Sequence, residues 1–540
     1  MCASGVHKHG AKASQREDEL DMEAYTHTGA TDRISDLSAP SDASQFIVME
    51  SEFGGTEMQG DERVTDAKDA HARVLTTIPL LAFCFFAICG GPMGSQDVIT
   101  AGGPAVGIAA LIVVPFLFYL PMCFVVTELV TAIPEAGGHA YWIALAFGPQ
   151  CGFQAGYWSW VANCVNCAII SSMAVALVAG NADSADRSTT EEIFRQGLPI
   201  LLALPGFFSL RRVGLIMSVL FFGVVFIYTT LSVSGAAVAK DWGALAEFRY
   251  SNMAISGGLL THKAADAQSI HLISSPHASD SNSVYVDFAS LLNNVIWSFH
   301  GFHNISVFAT EVQNPAQTYR RVMFLALVAV PLTYLLIMVV SVANNDPKWT
   351  DWDDSSVSDI VVSFGGTAMY VLIVLLVSFS VVGLYLTSLI ASAFLATGMV
   401  VKGFGPAGLG ISNTSHQSTP YGAILCSLPV MLIMVNLESA DMIRIGNALG
   451  GLGSITLVLA AIRLRFTMRH LPRPTKLCGD APPVFMMLTL LIPLLCLGFA
   501  TVCAFETMIS AVLISVFILI GLIYGQQGNF SHFKKIPEPL

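Results

Sequence analysis

Long uncharged stretches alternate with short polar connections along the chain from residue 74 onward. A helix needs about 20 mainly apolar residues to cross the ~30 Å hydrocarbon core of a bilayer. The pattern therefore predicts about twelve membrane-spanning helices, of which the fourth has the weakest signal. They lie near residues 75–102, 105–132, 150–180, 195–210, 213–239, 288–311, 322–344, 360–401, 420–437, 440–462, 484–505 and 507–525.

One uncharged stretch, residues 136–182, is too long for a single span. Gly148-Pro149 interrupts it, because glycine and proline both disfavour a continuing helix. The part before this break, residues 139–147, is too short to cross a bilayer. We therefore expect a re-entrant or interfacial helix there, ahead of the third span.

The first 73 residues differ from the rest, with 15 acidic and 7 basic residues and few apolar ones. Such a segment cannot bury enough apolar surface to offset the entropy of ordering. We expect a disordered acidic tail over 1–73. No basic segment followed by an apolar stretch opens the chain, so a cleaved secretory signal is not expected.

Lysine and arginine in the connections predict the orientation of the spans. With the N-terminus inside, fourteen of them fall on the cytosolic side and seven on the external side, in longer loops. Cytosolic loops carry the excess of basic residues in membrane proteins. Both termini are therefore expected in the cytosol, and we expect an integral protein of the plasma membrane.

Composition excludes several functional classes. Of 540 residues, 54% are hydrophobic and 12% charged, with a net charge of −12, so neither a soluble domain nor a nucleic-acid-binding protein is expected. The eleven cysteines suggest no disulfide framework, and we expect no metal site and no cofactor. No phosphate-binding loop and no serine–histidine–acid set is recognisable, which argues against an enzyme and against ATP-driven transport by this chain.

The first span contains the run Gly90-Gly91-Pro92-Met93-Gly94, which cannot sustain a regular helix. Irregular backbone at membrane depth is tolerated only where it is buried in protein or lines a cavity, so the run predicts a solute site. Ser95 is expected to cap the half-helix that follows, with Gln96 and Asp97 in its first turn. Exposed N–H groups at that end would favour a carboxylate.

The sixth span contains a second break, Trp297-Ser298-Phe299-His300-Gly301-Phe302-His303-Asn304. Interrupted helices in the first and sixth spans are what an inverted five-helix repeat predicts. The expected organisation is a first repeat over 74–239, an external loop over 240–287 and a second repeat over 288–462. A connecting loop with helices eleven and twelve would occupy 463–525, and a cytosolic C-terminal tail 526–540.

At these residues the chain resembles the amino acid–polyamine–organocation superfamily, and most closely its polyamine and L-amino acid uptake branch of plants and trypanosomatids. The resemblance extends from about residue 74 to 525. It implies an all-α LeuT-type fold, alternating access, and an amino acid or polyamine held between helices one, three, six, eight and ten. The matching stretches are GGPMGSQDVITAGG at 90–103, TELVTAIPEAGGHAYW at 127–142, FGPQCGFQAGYWSW at 147–160, WSFHGFHNISVFATEVQNP at 297–315, VGLYLTSLIASAFLATGM at 382–399 and HLPRPTKL at 470–477.

The chain departs from the polyamine-type pattern at three places where relatives tend to carry an acid. These places hold Gln96, the Leu386-Thr387 region and His303. Fewer carboxylates in the cavity weaken the case for a polycationic substrate. An amino acid is at least as well supported.

Two kinds of titratable residue lie at the breaks. Asp97 would attract a substrate ammonium or stabilise a helix N-terminus, and both readings stay open. His303 can change protonation near physiological pH, so we hypothesise proton coupling or pH sensing there. His300 has weaker support, because a neutral histidine hydrogen-bonded between helices explains it as well.

Aromatic side chains surround the second break. Resemblance to the superfamily makes Trp297 the best gate candidate. Phe299 and Phe302 either close over the solute or only pack in the protein or against lipid.

Four further residues are expected to be structural or gating elements. Glu128, near the cytosolic end of the second helix, would hold an inner loop together with Gly137 and Gly138. Glu311 ends the sixth span. Ser378, Ser380, Thr387 and Ser388 offer oxygens for sodium, but helix–helix contacts explain these hydroxyls better.

These observations predict a secondary transporter that takes up an amino acid or polyamine by proton symport. An amino acid exchanger is one alternative. A nutrient receptor of transporter ancestry, which binds without turnover, is another, and the acidic tail is its only support in the sequence.

Overall fold

Helices form nearly all the regular structure in the computed structural model, which describes residues 73–89, 95–179, 189–250, 284–352, 356–406, 420–479, 481–528, 530 and 532–535. All of them belong to the unit Asp69–Leu540. Within these ranges, β pairing is confined to two isolated bridges. The predicted acidic tail, residues 1–73, lies almost wholly outside the described residues.

The first half of the chain contains eight α-helices. They are α1 (Thr77–Ile88), α2 (Gln96–Gly102), α3 (Pro104–Val114), α4 (Leu120–Ala132), α5 (Gly138–Phe147), α6 (Pro149–Ala179), α7 (Thr189–Ala203) and α8 (Leu210–Val238). A π-helical turn, Pro115–Tyr119, joins α3 to α4, and short 3₁₀ turns occupy Leu204–Phe207 and Trp242–Ala246.

The second half of the chain begins with a helix that stops early. The elements of this half are α9 (Phe288–Phe299), the 3₁₀ helix Phe302–Phe308, α10 (Pro315–Asn344), α11 (Ser356–Gly365), α12 (Thr367–Val401), α13 (Tyr421–Met434), α14 (Ser439–Thr467), α15 (Pro483–Cys503) and α16 (Met508–Gln527). A further 3₁₀ turn spans Trp349–Asp351.

Eight helices in the described ranges are long and apolar enough to cross a bilayer. They are Pro104–Ala132, formed by α3, the π turn and α4, together with Pro149–Val175 of α6 and the whole of α8, α10, α12, α14, α15 and α16. Large apolar side chains such as Phe226, Val502 and Met508 are exposed on them, as expected for a lipid-facing surface. The prediction of a polytopic all-α membrane protein is confirmed at this level.

Three predicted spans differ from the observed helices. The ninth, expected over 420–437, is the 14-residue helix α13, which is not one of the eight. The fourth, expected over 195–210, corresponds to α7, which begins earlier and carries a buried Glu191–Arg195 ion pair of 3.4 Å. It is not one of the eight apolar helices. The eighth, expected as one helix over 360–401, is divided at Gly366, whose positive φ of 59° separates α11 from α12.

The short helix expected over 139–147 is present as α5. The Trp142 indole donates a hydrogen bond to the Ile133 carbonyl at 3.0 Å, which closes the turn before it. Gly148, with φ of 100°, separates α5 from α6. Between these two turns α5 lies inside the protein, where its residues from Gly138 to Ala144 are buried.

The helices α6 and α14 form the centre of the bundle. Within an apolar 18-residue stretch of each helix, 67% is buried, compared with 22% in α16 at the periphery. The middle part of each of these helices carries asparagine, serine and glycine. These residues are tolerated at membrane depth because they face other helices rather than lipid. These two helices therefore supply the polar interior of the fold.

Residues 532–535 fold back onto the bundle. The Lys534 amide donates to the Lys402 carbonyl at 3.1 Å, and the Tyr141 hydroxyl donates to the Lys534 carbonyl at 2.9 Å. The Phe533 ring lies 5.8 Å from that of Phe404, centroid to centroid. The C-terminal strap, residues 532–535, thus packs against α5 and the turn after α12.

Candidate solute-binding site

The sixth span is interrupted where the sequence predicts a break. The helix α9 ends at Phe299, His300 is extended, and Gly301 has a left-handed φ of 119° before the 3₁₀ helix begins. A Cβ atom at position 301 would overlap the Ala87 carbonyl oxygen. Glycine is therefore required there both by backbone conformation and by the close approach of α1.

The first span is also formed by two separate helices. The helix α1 ends at Ile88, Cys89 is extended, and α2 begins at Gln96. The Tyr334 hydroxyl donates to the Ile88 carbonyl at 3.4 Å, so this end of α1 finds a partner across the protein. The predicted site residues Gly90, Gly91, Pro92, Met93 and Gly94 lie outside the described residues.

The expected capping role of Ser95 is wrong. Ser95 has helical dihedrals (φ −79°, ψ −23°) and its side chain makes no capping hydrogen bond. A capping side chain must come from a residue outside the helical region, so that its oxygen reaches the N–H groups of the first turn. The following helix, α2, has only seven residues.

A cavity of about 80 Å³ lies beside the sixth-span break and is bounded by α6 and α14. One face of α6 contributes Ser159, Asn163 and Asn166, which recur every three or four residues as a single helical face requires. The amides of Asn163 and Asn304 exchange two hydrogen bonds, of 3.3 and 3.0 Å, across the cavity wall. Asn166 donates to Ser388 of α12 at 2.9 Å.

Small residues of α14 allow the break to approach this helix closely. A Cβ atom at Gly450 would lie 2.8 Å from Cε1 of His300, so the imidazole packs directly on the glycine. One turn further, Ser454 Oγ lies 2.9 Å from Nε2 of His300. Asn447, also in the lining, donates to Asn293 at 2.8 Å.

Three histidines meet at the break: His139 and His303 are buried, and His300 is half-buried. The His303 ring centroid lies 5.1 Å from that of His300 and 4.8 Å from that of His139. His300 and His303 line the cavity, and His139 lies behind them on α5. Sequence reasoning missed His139, since no periodicity connects position 139 with 303.

Glycines explain how α5 reaches the break. Gly137 and Gly138 have φ of 87° and 48°, and a Cβ at Gly138 would meet Ser306 Oγ at 2.5 Å. The His139 amide can therefore donate to Ser306 Oγ at 3.0 Å. A structural or gating role for these glycines stays a prediction.

The predicted aromatic residues separate into two groups. Trp297 lines the cavity, whereas Phe299 and Phe302 are fully buried behind the break. Their rings pack 5.9 and 5.6 Å from that of Tyr119. Ser298 donates to the Asn294 carbonyl of its own helix at 2.8 Å and does not line the cavity.

Residues 80–524 match the amino acid permease family. The chain belongs to this family. It is similar to polyamine transporter RMV1 of Arabidopsis thaliana, at 25% identity over 470 residues that cover 86% of this chain and 87% of the relative. It is also similar to polyamine transporter PUT1 of Oryza sativa subsp. japonica, at 25% identity over 438 residues that cover 80% and 75%. The protein is thus an integral membrane transporter of the amino acid–polyamine–organocation superfamily and not an enzyme.

The described cavity lining of the permease is electrically neutral. It contains amides, hydroxyls, imidazoles and an indole, but no Asp, Glu, Lys or Arg side chain. Gln96 is buried and Asp97 half-buried on α2, and neither lines the cavity. An ammonium group there would be stabilised by amide oxygens and the indole face rather than by a full counter-charge.

The charged residues of the permease are concentrated elsewhere. Glu128, at the end of α4, pairs with Arg465 at 2.5 Å and with Arg473 at 2.8 Å, and accepts the Leu477 amide at 2.9 Å. It therefore fastens the segment after α14 to the bundle. The backbone carbonyl of Glu311, which follows the 3₁₀ helix, accepts the Leu75 amide at 2.9 Å and so holds the segment that precedes α1.

Proposed function

We propose that this permease moves a small amine-bearing solute, preferably an amino acid, in symport with a proton, and that the solute binds in the cavity beside the sixth-span break. The observation that carries the proposal is the loss of helix at His300–Gly301 directly on a polar cavity inside a bundle of span-length helices. Irregular backbone at membrane depth is typical of transporter binding sites.

The size of the cavity supports a small solute. One water molecule needs roughly 10–15 Å³ of cavity volume. The cavity of about 80 Å³ therefore accommodates roughly five to eight water molecules. An amino acid or a short diamine has a comparable number of heavy atoms. A longer polyamine would require a wider cavity than this conformation offers.

The charge of the lining favours an amino acid over a polyamine. A zwitterion has no net charge, whereas a diamine carries two positive charges into a cavity whose described lining holds no carboxylate. Burying an uncompensated charge costs far more than burying a hydrogen-bonded polar group. The similarity to polyamine transporters supports the amine group itself as the recognised feature.

The proposed binding residues are those of the two breaks. Trp297, His300 and Gly301 line the cavity from the sixth span, and the Gly90–Gly94 run is proposed from the sequence. His303 lies in the same lining and supports the proposed proton coupling, because an imidazole can bind and release a proton. Alternating access in a LeuT-type repeat, with both termini cytosolic at the plasma membrane, completes the proposal.

Transport by the purified protein in liposomes tests it. We would offer labelled neutral amino acids, arginine, putrescine and spermidine, with and without an inward proton gradient. Saturable uptake of an amino acid that increases with external acid is expected. No saturable flux of any solute would overturn the proposal, and saturable binding without flux would identify a receptor.

Two further outcomes separate the alternatives. Flux that requires internal solute and ignores the proton gradient would identify an exchanger. Uptake of spermidine with no uptake of amino acids would overturn the substrate preference but not the transport activity.

A further inference from the structure

Behind the cavity lies a histidine that the proposed proton coupling does not yet use. His139 is fully buried on α5, and its ring stands at 89° to that of His303 with centroids 4.8 Å apart. We infer that His139 is a second proton carrier, which receives the proton from the cavity imidazoles and passes it toward the turn that precedes α5. This inference rests on the proposed proton symport.

One ring nitrogen of each of these two histidines finds no partner in the part of the protein that the structure describes. Among the described residues, Nδ1 of His303 and Nε2 of His139 are buried and have no hydrogen-bond partner. Buried polar atoms are nearly always hydrogen-bonded, and each exception needs an explanation. Two such nitrogens on adjacent imidazoles are explained if a proton passes between the rings during the transport cycle.

Ser306 holds the His139 ring in place. Its Oγ accepts the His139 amide at 3.0 Å and lies 3.3 Å from Nδ1. This contact occupies one ring nitrogen and leaves Nε2 for proton exchange. Ser454 makes the equivalent contact at the other end, with its Oγ 2.9 Å from Nε2 of His300. The three imidazoles therefore form a row whose two ends are fixed by serines.

Within the described structure, no Asp, Glu, Lys or Arg side chain is among the groups that act on the three imidazoles. The titratable groups that act on His139 and His303 are the other histidines, and the Tyr334 phenol lies in the same cavity lining. Of the neighbouring helices, α1 contributes thiols, and the Tyr141 and Tyr385 hydroxyls donate to backbone carbonyls elsewhere. Glu128 on α4 is held by two arginines. The charge of the row thus follows its own protonation.

The proposed step moves one proton and no electrons. A cavity imidazolium releases its ring proton, that proton binds Nε2 of His139, and the donor becomes neutral while His139 becomes the imidazolium. His139 then gives the proton to solvent water at the partly exposed turn around Glu135, and its imidazole becomes neutral again. A neutral row is restored, ready for the next proton.

Substitution of His139 by glutamine and by asparagine tests the inference. Asparagine keeps a polar atom near the Nδ1 position, which can contact Ser306, so the two variants give independent chances of folding. Counterflow without a proton gradient should stay within about twofold of wild type, because it needs solute binding but no net proton transfer. Accumulation driven by a gradient of one pH unit, which can reach about tenfold in wild type for one coupled proton, should fall to near unity.

Controls distinguish this inference from the proposed function. His470→Gln, on an exposed turn, should leave gradient-driven accumulation unchanged. Absence of any gradient effect in wild type would defeat the symport proposal itself. Gradient-driven accumulation at the wild-type level in either folded His139 variant would overturn the relay alone. Loss of counterflow and of thermal stability in both variants would also overturn it, by showing that His139 is a structural residue.

Discussion

The cavity and the Glu128 cluster use polar side chains in opposite ways. Around the cavity, neutral groups pair with each other, as Asn163 does with Asn304. In the Glu128 cluster, one carboxylate is held by two guanidinium groups and an amide, and its side chain is only 3% exposed. Both regions join distant parts of the chain, but with bonds of very different strength.

This difference indicates which region can change during transport. A neutral hydrogen bond contributes about 0.5–1.5 kcal/mol, and a solute offering similar groups can replace it at little cost. Breaking a buried ion pair by removing one partner costs about 3–5 kcal/mol. We expect the cavity wall to rearrange around the solute while the Glu128 cluster keeps the loop after α14 in place.

The largest expected effect comes from Glu128→Gln. The substitution leaves Arg465 and Arg473, which are 10% and 5% exposed, without their shared counter-charge. We expect a loss of about 3–5 kcal/mol in the free energy of unfolding, measured by thermal unfolding in detergent.

Glu135→Gln is the matched control for this experiment. Glu135 pairs with Lys402 at 2.6 Å but is 44% exposed, so its loss should cost less than about 1 kcal/mol. Equal destabilisation by the two substitutions would show that burial does not distinguish the two ion pairs.

The next largest effect is expected from Gly301→Ala. Its φ of 119° and the nearby Ala87 carbonyl both oppose a side chain, with backbone strain of about 1–3 kcal/mol. We expect the maximal uptake rate to fall at least about tenfold, since roughly 1.4 kcal/mol on a barrier already gives this factor.

Gly498→Ala in α15 controls for the added methyl group. A Cβ there has no atom within 4 Å, so uptake should be unchanged. Wild-type uptake by the Gly301→Ala protein would mean that the broken backbone does not shape the cavity.

The asparagine pair should give a smaller and more specific effect. Asn163→Ala and Asn304→Ala each remove one partner of the reciprocal amide contact. A double-substitution cycle on kcat/KM for uptake should give a coupling energy of about 0.5–1.5 kcal/mol. Additive effects would show that the two amides contribute independently to transport, and would contradict a functional role for their reciprocal contact.

The smallest effect is expected from Tyr141→Phe, which removes only the hydroxyl bound to the Lys534 carbonyl. It should destabilise the strap by about 1 kcal/mol and leave uptake unchanged. Limited proteolysis near the C-terminus measures this release. Unchanged protease sensitivity would show that the aromatic contacts alone hold the strap.

The sequence predicted the apolar helices and the sixth-span break because both depend on local composition. Runs of apolar residues specify spans, and Gly301 specifies a backbone that other residues cannot adopt. The twelve-helix count and the inverted repeat stay predictions.

Local sequence patterns could not predict the contacts between residues that lie far apart in the chain. Glu128 meets Arg465 and Arg473 over separations of 337 and 345 residues, and His139 meets His303 without any shared periodicity. The orientation of Phe299 away from the cavity depends likewise on Tyr119, on another helix. The capping expected of Ser95 failed because its backbone is already helical.

The C-terminal strap has a practical consequence for anyone who expresses the permease. An affinity handle or fluorescent reporter joined shortly after Lys535 would pull on a backbone that is hydrogen-bonded to Lys402 and Tyr141. A flexible spacer there, or a reporter placed at the opposite end of the chain, would spare these contacts.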